Sequence, residues 1–173
     1  MSTPDLIRLF HHRWSAPVLA ELKRQRGTRF VALARMLGVG RESLRRTLDA
    51  LIEQGLVERN EGYGHPLRPE YVLTETGKDV ARRCGELLAL LNGTAELVLR
   101  KWSLPVLVVL QQPMRFSELR AALPGITGRA LALALKDLQQ AGLVERRVDE
   151  QSYPPGVVYA VTAAGRKLQR PLN

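Results

Sequence analysis

One nine-residue segment occurs twice, and it constrains the fold more than any other feature of the chain. Residues 51–59 read LIEQGLVER and residues 138–146 read LQQAGLVER. In each copy a leucine-bearing helical run meets Gly55 or Gly142 and passes into a short apolar pair, Leu56-Val57 or Leu143-Val144. Glycine accepts the left-handed backbone that ends a helix, so each copy predicts a helix, a tight stop and the start of a strand.

The repetition extends beyond this segment. Residues 100–107, RKWSLPVL, answer residues 12–19, HRWSAPVL, at an offset of 88. Arg115-Phe116 answer Arg29-Phe30 at 86, and Tyr159, Thr162 and Gly165 answer Tyr71, Thr74 and Gly77 at 88. The changes of offset fall at turns, where a duplicated domain accepts insertions and deletions. A period near 87 residues is too long for a solenoid unit and equals one small domain.

Two domains of about 85 residues can be built from 173 residues of which 45% are apolar, although domains that small gain from leaning on each other. Lys and Arg number 26 against 17 Asp and Glu, a net charge of +9; dividing the chain at Leu90 leaves +4 on the first part and +5 on the second. Both halves therefore carry the excess, which suits a polyanionic partner and suits simple solubility equally well. The single cysteine, Cys84, rules out an intrachain disulfide and a cysteine-based zinc cluster, and fits a reducing compartment. Asp5 and Arg8 interrupt any signal-peptide core, and the longest apolar run, residues 104–110, is far shorter than the roughly 20 residues of a membrane span. A soluble cytoplasmic protein with no membrane partner is expected.

In chain order, Ser2-Thr3-Pro4-Asp5 predicts a capped helix start with an apolar face at Leu6, Leu9 and Phe10. Residues 13–22 predict a second helix with Pro17 early in it, ended by Arg26-Gly27-Thr28. Phe30, Leu33, Ala34 and Leu37 mark a short helix, Gly38-Val39-Gly40 a turn, and Leu44, Leu48, Leu51 and Ile52 a longer helix. That order is the helix-turn-helix pattern. Leu56-Val57 and Tyr71-Val72-Leu73 bracket a polar stretch rich in Gly and Pro, a hairpin that makes the unit a winged one. Residues 74–77 lead into a helix over 78–91 that Asn92-Gly93 ends, after which the order repeats. The expected architecture is mainly α with small β-hairpin wings. It comprises a first winged helix-turn-helix domain over 1–79, a linker helix and turn over 80–93, and a second winged domain over 94–173.

Four stretches of the second half, RKWSLPVLVVL, RFSELRAALPGIT, LKDLQQAGLVERRV and PPGVVYAVTAAGRKL, resemble the HxlR-type winged-helix regulators along nearly its whole length. The first half resembles the same family more loosely, with RFVALARMLGVG in place of the RFSEL segment. The resemblance implies a bacterial or archaeal transcription factor whose third domain helix enters the major groove while its wing follows the neighbouring backbone. Family members are typically single domains that homodimerise, so two copies in one chain imply a pseudo-dimer. Some members sense oxidants or electrophiles with a cysteine just before the first domain helix; neither half has one there.

The two candidate recognition helices were compared at about 100° per residue. Leu44, Leu48 and Leu51 share one face of the first, which turns Glu42, Arg46, Asp49 and Glu53 outward with Arg41 and Arg45 on the flank. Arginine forks onto guanine O6 and N7 or onto phosphate, and Arg41, Glu42, Arg45, Arg46 and Asp49 are the candidate DNA contacts of this helix. The plain alternative is a solvated, salt-bridged helix face. In the second helix Leu131, Leu135 and Leu138 hold the core positions, and Arg129, Leu133 and Lys136 turn outward. Arg45 and Arg46 have become Ala132 and Leu133, a weaker reader. Leu133 there meets a thymine methyl, meets another protein surface, or is buried.

The wings add Tyr63, His65 and Arg68 in the first copy and Arg147, Gln151 and Tyr153 in the second, donors suited to phosphates or the minor groove. Arg29 and Arg115 open their helices where a phosphate contact would position each domain. Trp14 and Trp102 read as packing anchors. His11, His12 and His65 lack metal-ligand spacing, so no metal and no cofactor is expected. Arg82-Arg83 beside Cys84 would lower a thiol pKa, although a lone helical cysteine is more often packed. No GxxxxGK[ST] or GxSxG occurs and Gly38-Val39-Gly40 lacks a third glycine, which leaves no enzyme signature.

The residues predict a sequence-specific double-stranded DNA-binding transcriptional regulator, acting through tandem winged helices as an intramolecular pseudo-dimer. The rival expectation is a winged-helix adaptor that does not itself read DNA, with self-association or a protein partner on the second domain at Leu133. A ligand-responsive regulator, with a small-molecule effector between the halves near Trp14 and Trp102, is the third.

Overall fold

The computed structural model describes residues 2–61, 69–91, 93–149 and 156–172. Helices α1 (Thr3–Leu9) and α2 (Ser15–Gln25) precede a two-residue strand β1 (Thr28–Arg29), α3 (Phe30–Leu37), α4 (Arg41–Glu53), β2 (Val57–Asn60), β3 (Glu70–Leu73) and α5 (Glu75–Leu90). The second round runs α6 (Ala95–Val98), α7 (Ser103–Val109), β4 (Met114–Arg115), α8 (Phe116–Ala122), α9 (Gly128–Gln140), β5 (Val144–Asp149), β6 (Gly156–Val161) and α10 (Ala163–Gln169). Each round makes a small antiparallel sheet of the same order, β1-β3-β2 and β4-β6-β5. The fold is therefore mainly helical, with two winged helix-turn-helix rounds, as the sequence predicts.

The repeated motif has a physical explanation in each copy. Gly55 and Gly142 stop α4 and α9 with φ of +67° and +70°, and the next residue's N–H, Leu56 or Leu143, bonds back to Leu51 or Leu138 at 2.9 Å in both copies. Nineteen and 20 residues on, Thr74 and Thr162 close the junction. Their hydroxyls donate to the carbonyls of Gly55 and Gly142 at 2.7 and 2.8 Å, and accept from the N–H groups of Gly77 and Gly165 at 3.0 and 3.1 Å. The threonine thus caps the next helix and pins it to the wing. A Cβ on Gly77 would stand 1.8 Å from the Leu56 carbonyl oxygen, and one on Gly165 2.3 Å from that of Leu143. The Tyr-x-x-Thr-x-x-Gly spacing is thus a backbone crossing that admits no side chain.

Contacts divide the chain into two compact units, Trp14–Ala89 and a second that joins Met1–Arg13 to Leu90–Asn173. The division differs from the boundaries expected at 79/80 and 93/94 in two ways. The N-terminal helix α1, capped by Ser2 and Asp5 as expected, packs against α7 of the second unit and buries Leu6, Leu9 and Phe10. Helix α5 begins at Glu75, four residues inside the expected first domain, and its Val80, Ala81, Cys84 and Leu87 form a buried stripe. It is a packed member of the first unit, and only its last residue falls to the second.

The two copies differ at one hydroxyl. Ser103 at the start of α7 donates its hydroxyl to the Leu97 carbonyl at 2.9 Å. Its counterpart Ser15 is 1% exposed, and its hydroxyl has no partner among the described residues.

Candidate nucleic-acid interface

In the first unit α3 ends at Gly38, φ +61°, and α4 starts after an extended Gly40. Leu44, Leu48 and Leu51 are 0–1% exposed, and burial at about 1.5–3 kcal/mol per side chain fixes which face α4 turns inward. Arg41, Glu42, Arg45, Arg46, Asp49 and Glu53 are exposed on the other side. The sequence wheel placed these residues correctly.

The outer face is internally paired. Glu42 accepts from Arg45 at 3.1 Å and from Arg46 Nε at 2.8 Å, while Arg45 reaches Asp49 at 3.9 Å. Hydrogen bonds from Arg45 and then Arg46 hold the Glu42 carboxyl below the usual carboxylate range. The Arg45 and Arg46 side chains remain 63% and 67% exposed. Exposed i,i+3 and i,i+4 pairs are worth only a few tenths of a kcal/mol each, so they lay the guanidiniums along the helix without committing them.

In the second unit Thr127 caps α9, its hydroxyl accepting from the Ala130 N–H at 3.1 Å. Leu131, Leu135 and Leu138 are 0–2% exposed. Arg129, Ala132 and Lys136 are exposed, and Leu133 is 52% exposed, which removes the alternative that Leu133 is buried. Asp137 was missed by the sequence reading. Its side chain is 10% exposed, and both carboxylate oxygens accept from Arg100 Nη1 at 2.8 Å. The available signal was an acid in register with Ala50 of the first copy, on a stripe otherwise made of Leu and Ala.

Arg29 and Arg115 close the short strands β1 and β4, one residue before α3 and α8. Arg29 pairs with Glu70 across the sheet at 3.5 Å, and the Arg115 N–H donates to Glu118 at 2.6 Å. On β5, Arg147 pairs with Glu145. Tyr63, His65, Arg68, Gln151 and Tyr153 lie outside the described residues. Trp14 and Trp102 stand half-buried immediately before α2 and α7.

Cys84 is packed, the more frequent fate of a lone helical cysteine. Arg82 and Arg83 do not activate it: they turn to Asp79 and Glu86, at 2.7 to 3.0 Å, while Cys84 is fully buried and burial pushes its thiol up to about 12. Among the described residues no cluster of three His, Cys, Asp or Glu side chains is placed to hold a metal, and no helix is long and apolar enough to cross a membrane.

Two rounds of helix, turn, exposed helix and antiparallel wing define a winged helix-turn-helix protein of the transcription-regulator class. The chain belongs to the HxlR-like helix-turn-helix family, whose profile matches it twice, over residues 9–96 and 97–173. It is 32% identical over 102 residues to an uncharacterized HTH-type transcriptional regulator of Synechocystis, covering 58% of this chain and 74% of that one. It is 36% identical over 74 residues to the Bacillus subtilis regulator YvaP, covering 42% and 68%. The reduced form of the B. subtilis transcriptional regulator YodB is similar at 33% identity, over 47% of this chain and 79% of that one, with a TM-score of 0.43. Family and relatives are transcriptional regulators rather than enzymes, and membership makes this chain a DNA-binding transcriptional regulator of the HxlR type.

Proposed function

We propose that the chain regulates transcription by sequence-specific binding of double-stranded DNA, with α4 as the principal reader. The observation that carries this reading is the outer face of α4, where Arg41, Arg45 and Arg46 stand exposed in the first two turns behind a turn-linked helix. Recognition helices work through their N-terminal residues. Exchanging the Glu42 pairs for guanine or phosphate contacts is favourable, because a good bidentate base contact discriminates by about 1–3 kcal/mol and an exposed pair is worth less. Arg29 positions the first unit on the backbone, and Arg68, His65 and Tyr63 serve as its wing contacts. The second unit, with Arg129, Lys136, Arg115 and Arg147, binds an adjacent half-site more weakly. The two units act as a pseudo-dimer on an imperfect palindrome with half-sites about one helical turn, roughly 34 Å, apart.

The test is an anisotropy titration of the Arg45→Ala/Arg46→Ala double variant on an operator selected from genomic fragments. Affinity is expected to fall about a hundredfold and the slope of log affinity against log salt to shrink by about two. Unchanged affinity and slope would overturn the assignment. Leu133, 52% exposed on α9, favours a second reading in which the second unit meets a protein surface and the chain is an adaptor. Specific retention of genomic fragments in a gel at low salt separates the two, since an adaptor retains none.

A further inference from the structure

A cleft in the first unit lies apart from the outer face of α4. It encloses about 520 Å³, a volume typical of small-molecule sites. Val72 and Leu73 of β3, half-buried over the fully buried Leu22 of α2, supply its apolar floor, and Lys23, Arg26 and Lys78 stand around it. Lys78 Nζ donates to the exposed Glu75 at 2.5 Å. The side chains of Lys23 and Arg26 carry no hydrogen bond or ion pair among the described residues.

The backbone is shaped to this arrangement. Arg26 ends α2 at φ +57°, the one non-glycine positive φ among the described residues. Gly27 follows at φ +110°, and a Cβ there would stand 2.7 Å from Val72 Cγ1. The left-handed turn thus brings the end of α2 against β3 and puts an arginine beside an apolar strand.

Comparison with the second copy isolates what is special. Leu22-Lys23 correspond to Leu110-Gln111, Val72-Leu73 to Ala160-Val161 and Lys78 to Arg166, while the segment holding Arg26-Gly27 is shortened to Gln112-Pro113. The apolar floor persists in both units, whereas the two unpaired cations belong to the first alone.

We propose that this cleft binds a small aromatic carboxylate. Its ring covers Val72 and Leu73, and its carboxylate takes the charge of Lys23 and Arg26, with Lys78 shared between the ligand and Glu75. A neutral apolar ligand leaves the cations unanswered, and a hydrated inorganic anion gains nothing from the floor. Because β3 is the central strand of the wing sheet, the ligand sits behind the wing.

The experiment needs no DNA, so its failure is distinct from failure of the DNA reading. The full chain is titrated with 1-naphthoate, 1-naphthamide and inorganic phosphate by calorimetry and amide-resolved NMR, beside a Lys23→Gln/Arg26→Gln variant whose thermal melt certifies its fold. Expected are 1:1 saturable binding of naphthoate, shifts confined to residues 22–27 and 71–78, and about tenfold weaker binding by the amide, by phosphate and in the double variant. Equal binding of amide or phosphate, an unaffected variant, shifts elsewhere, or no saturation below about 10 mM would overturn the site.

Discussion

Helix α4 turns three arginines and three acidic residues outward, whereas α9, in the same place of the second unit, presents one arginine, one lysine and a bare leucine. The stripes that face inward, Leu44-Leu48-Leu51 and Leu131-Leu135-Leu138, are identical in type and spacing. Duplication has held the stripe because truncating a buried leucine costs about 2–5 kcal/mol, while exposed positions change for a few tenths. The two helices also manage acids differently. Glu42 stays on the surface of α4 and pairs with its own arginines, whereas Asp137 of α9 is turned inward onto Arg100. The outer face of α4 is a pattern of alternating charge with no net sign, and that of α9 is sparse and purely cationic.

The strongest way to break this comparison is on DNA. Against the hundredfold loss expected for Arg45→Ala/Arg46→Ala, the matching Arg129→Ala/Lys136→Ala variant is expected to lose about tenfold or less; equal losses in the same anisotropy titration would make the units equal readers. Next comes the shared junction. Gly77→Ala and Gly165→Ala each force a methyl group into a backbone carbonyl and are expected to cost about 3 kcal/mol or more in chemical denaturation, Gly77→Ala the more. Similar stability with either alanine would show that the crossing relaxes at little cost.

Arg100→Ala tests the feature that only the second unit has. It leaves the Asp137 carboxylate largely buried without its partner and is expected to cost about 2 kcal/mol, read as earlier hydrogen exchange in α9 with α4 unaffected. The last effect concerns Cys84 and is confined to alkaline pH. Its folded thiol ionises near 12 against an ordinary value of 9.0, so the stability it contributes is complete below pH 9. That contribution is lost as pH rises toward 12, at up to about 1.4 kcal/mol per pH unit. Cys84→Ala is expected to remove that part of the alkaline decline in pH-dependent denaturation, and native Cys84 is expected to resist alkylation at pH 8.

How much of this was legible depends on whether the deciding interaction is local. The helix start at Ser2, the stops at Gly38, Gly55 and Gly142, and the outward set of α4 follow from residues within one or two turns, so periodicity and capping chemistry reach them. The partner of Asp137 lies 37 residues away, and an acid on an apolar stripe announces a partner without naming it. Cys84 is packed, as a lone helical cysteine more often is; Arg82 and Arg83 are its neighbours in sequence, but successive residues on a helix point in different directions, and theirs leads to Asp79 and Glu86.

Sequence alone determined that this chain holds two copies of one winged helix, because a core stripe, a glycine stop and a Thr-to-Gly crossing recur in order at a nearly constant offset. It also determined which face of each helix is apolar. Only the tertiary structure decided what each apolar face is buried against: α1 joins the second unit, α5 packs as part of the first, and Ser15 is left with no hydroxyl partner among the described residues. Hydrophobic burial is non-directional, so a pattern states that a face must be covered, and the three-dimensional packing selects what covers it.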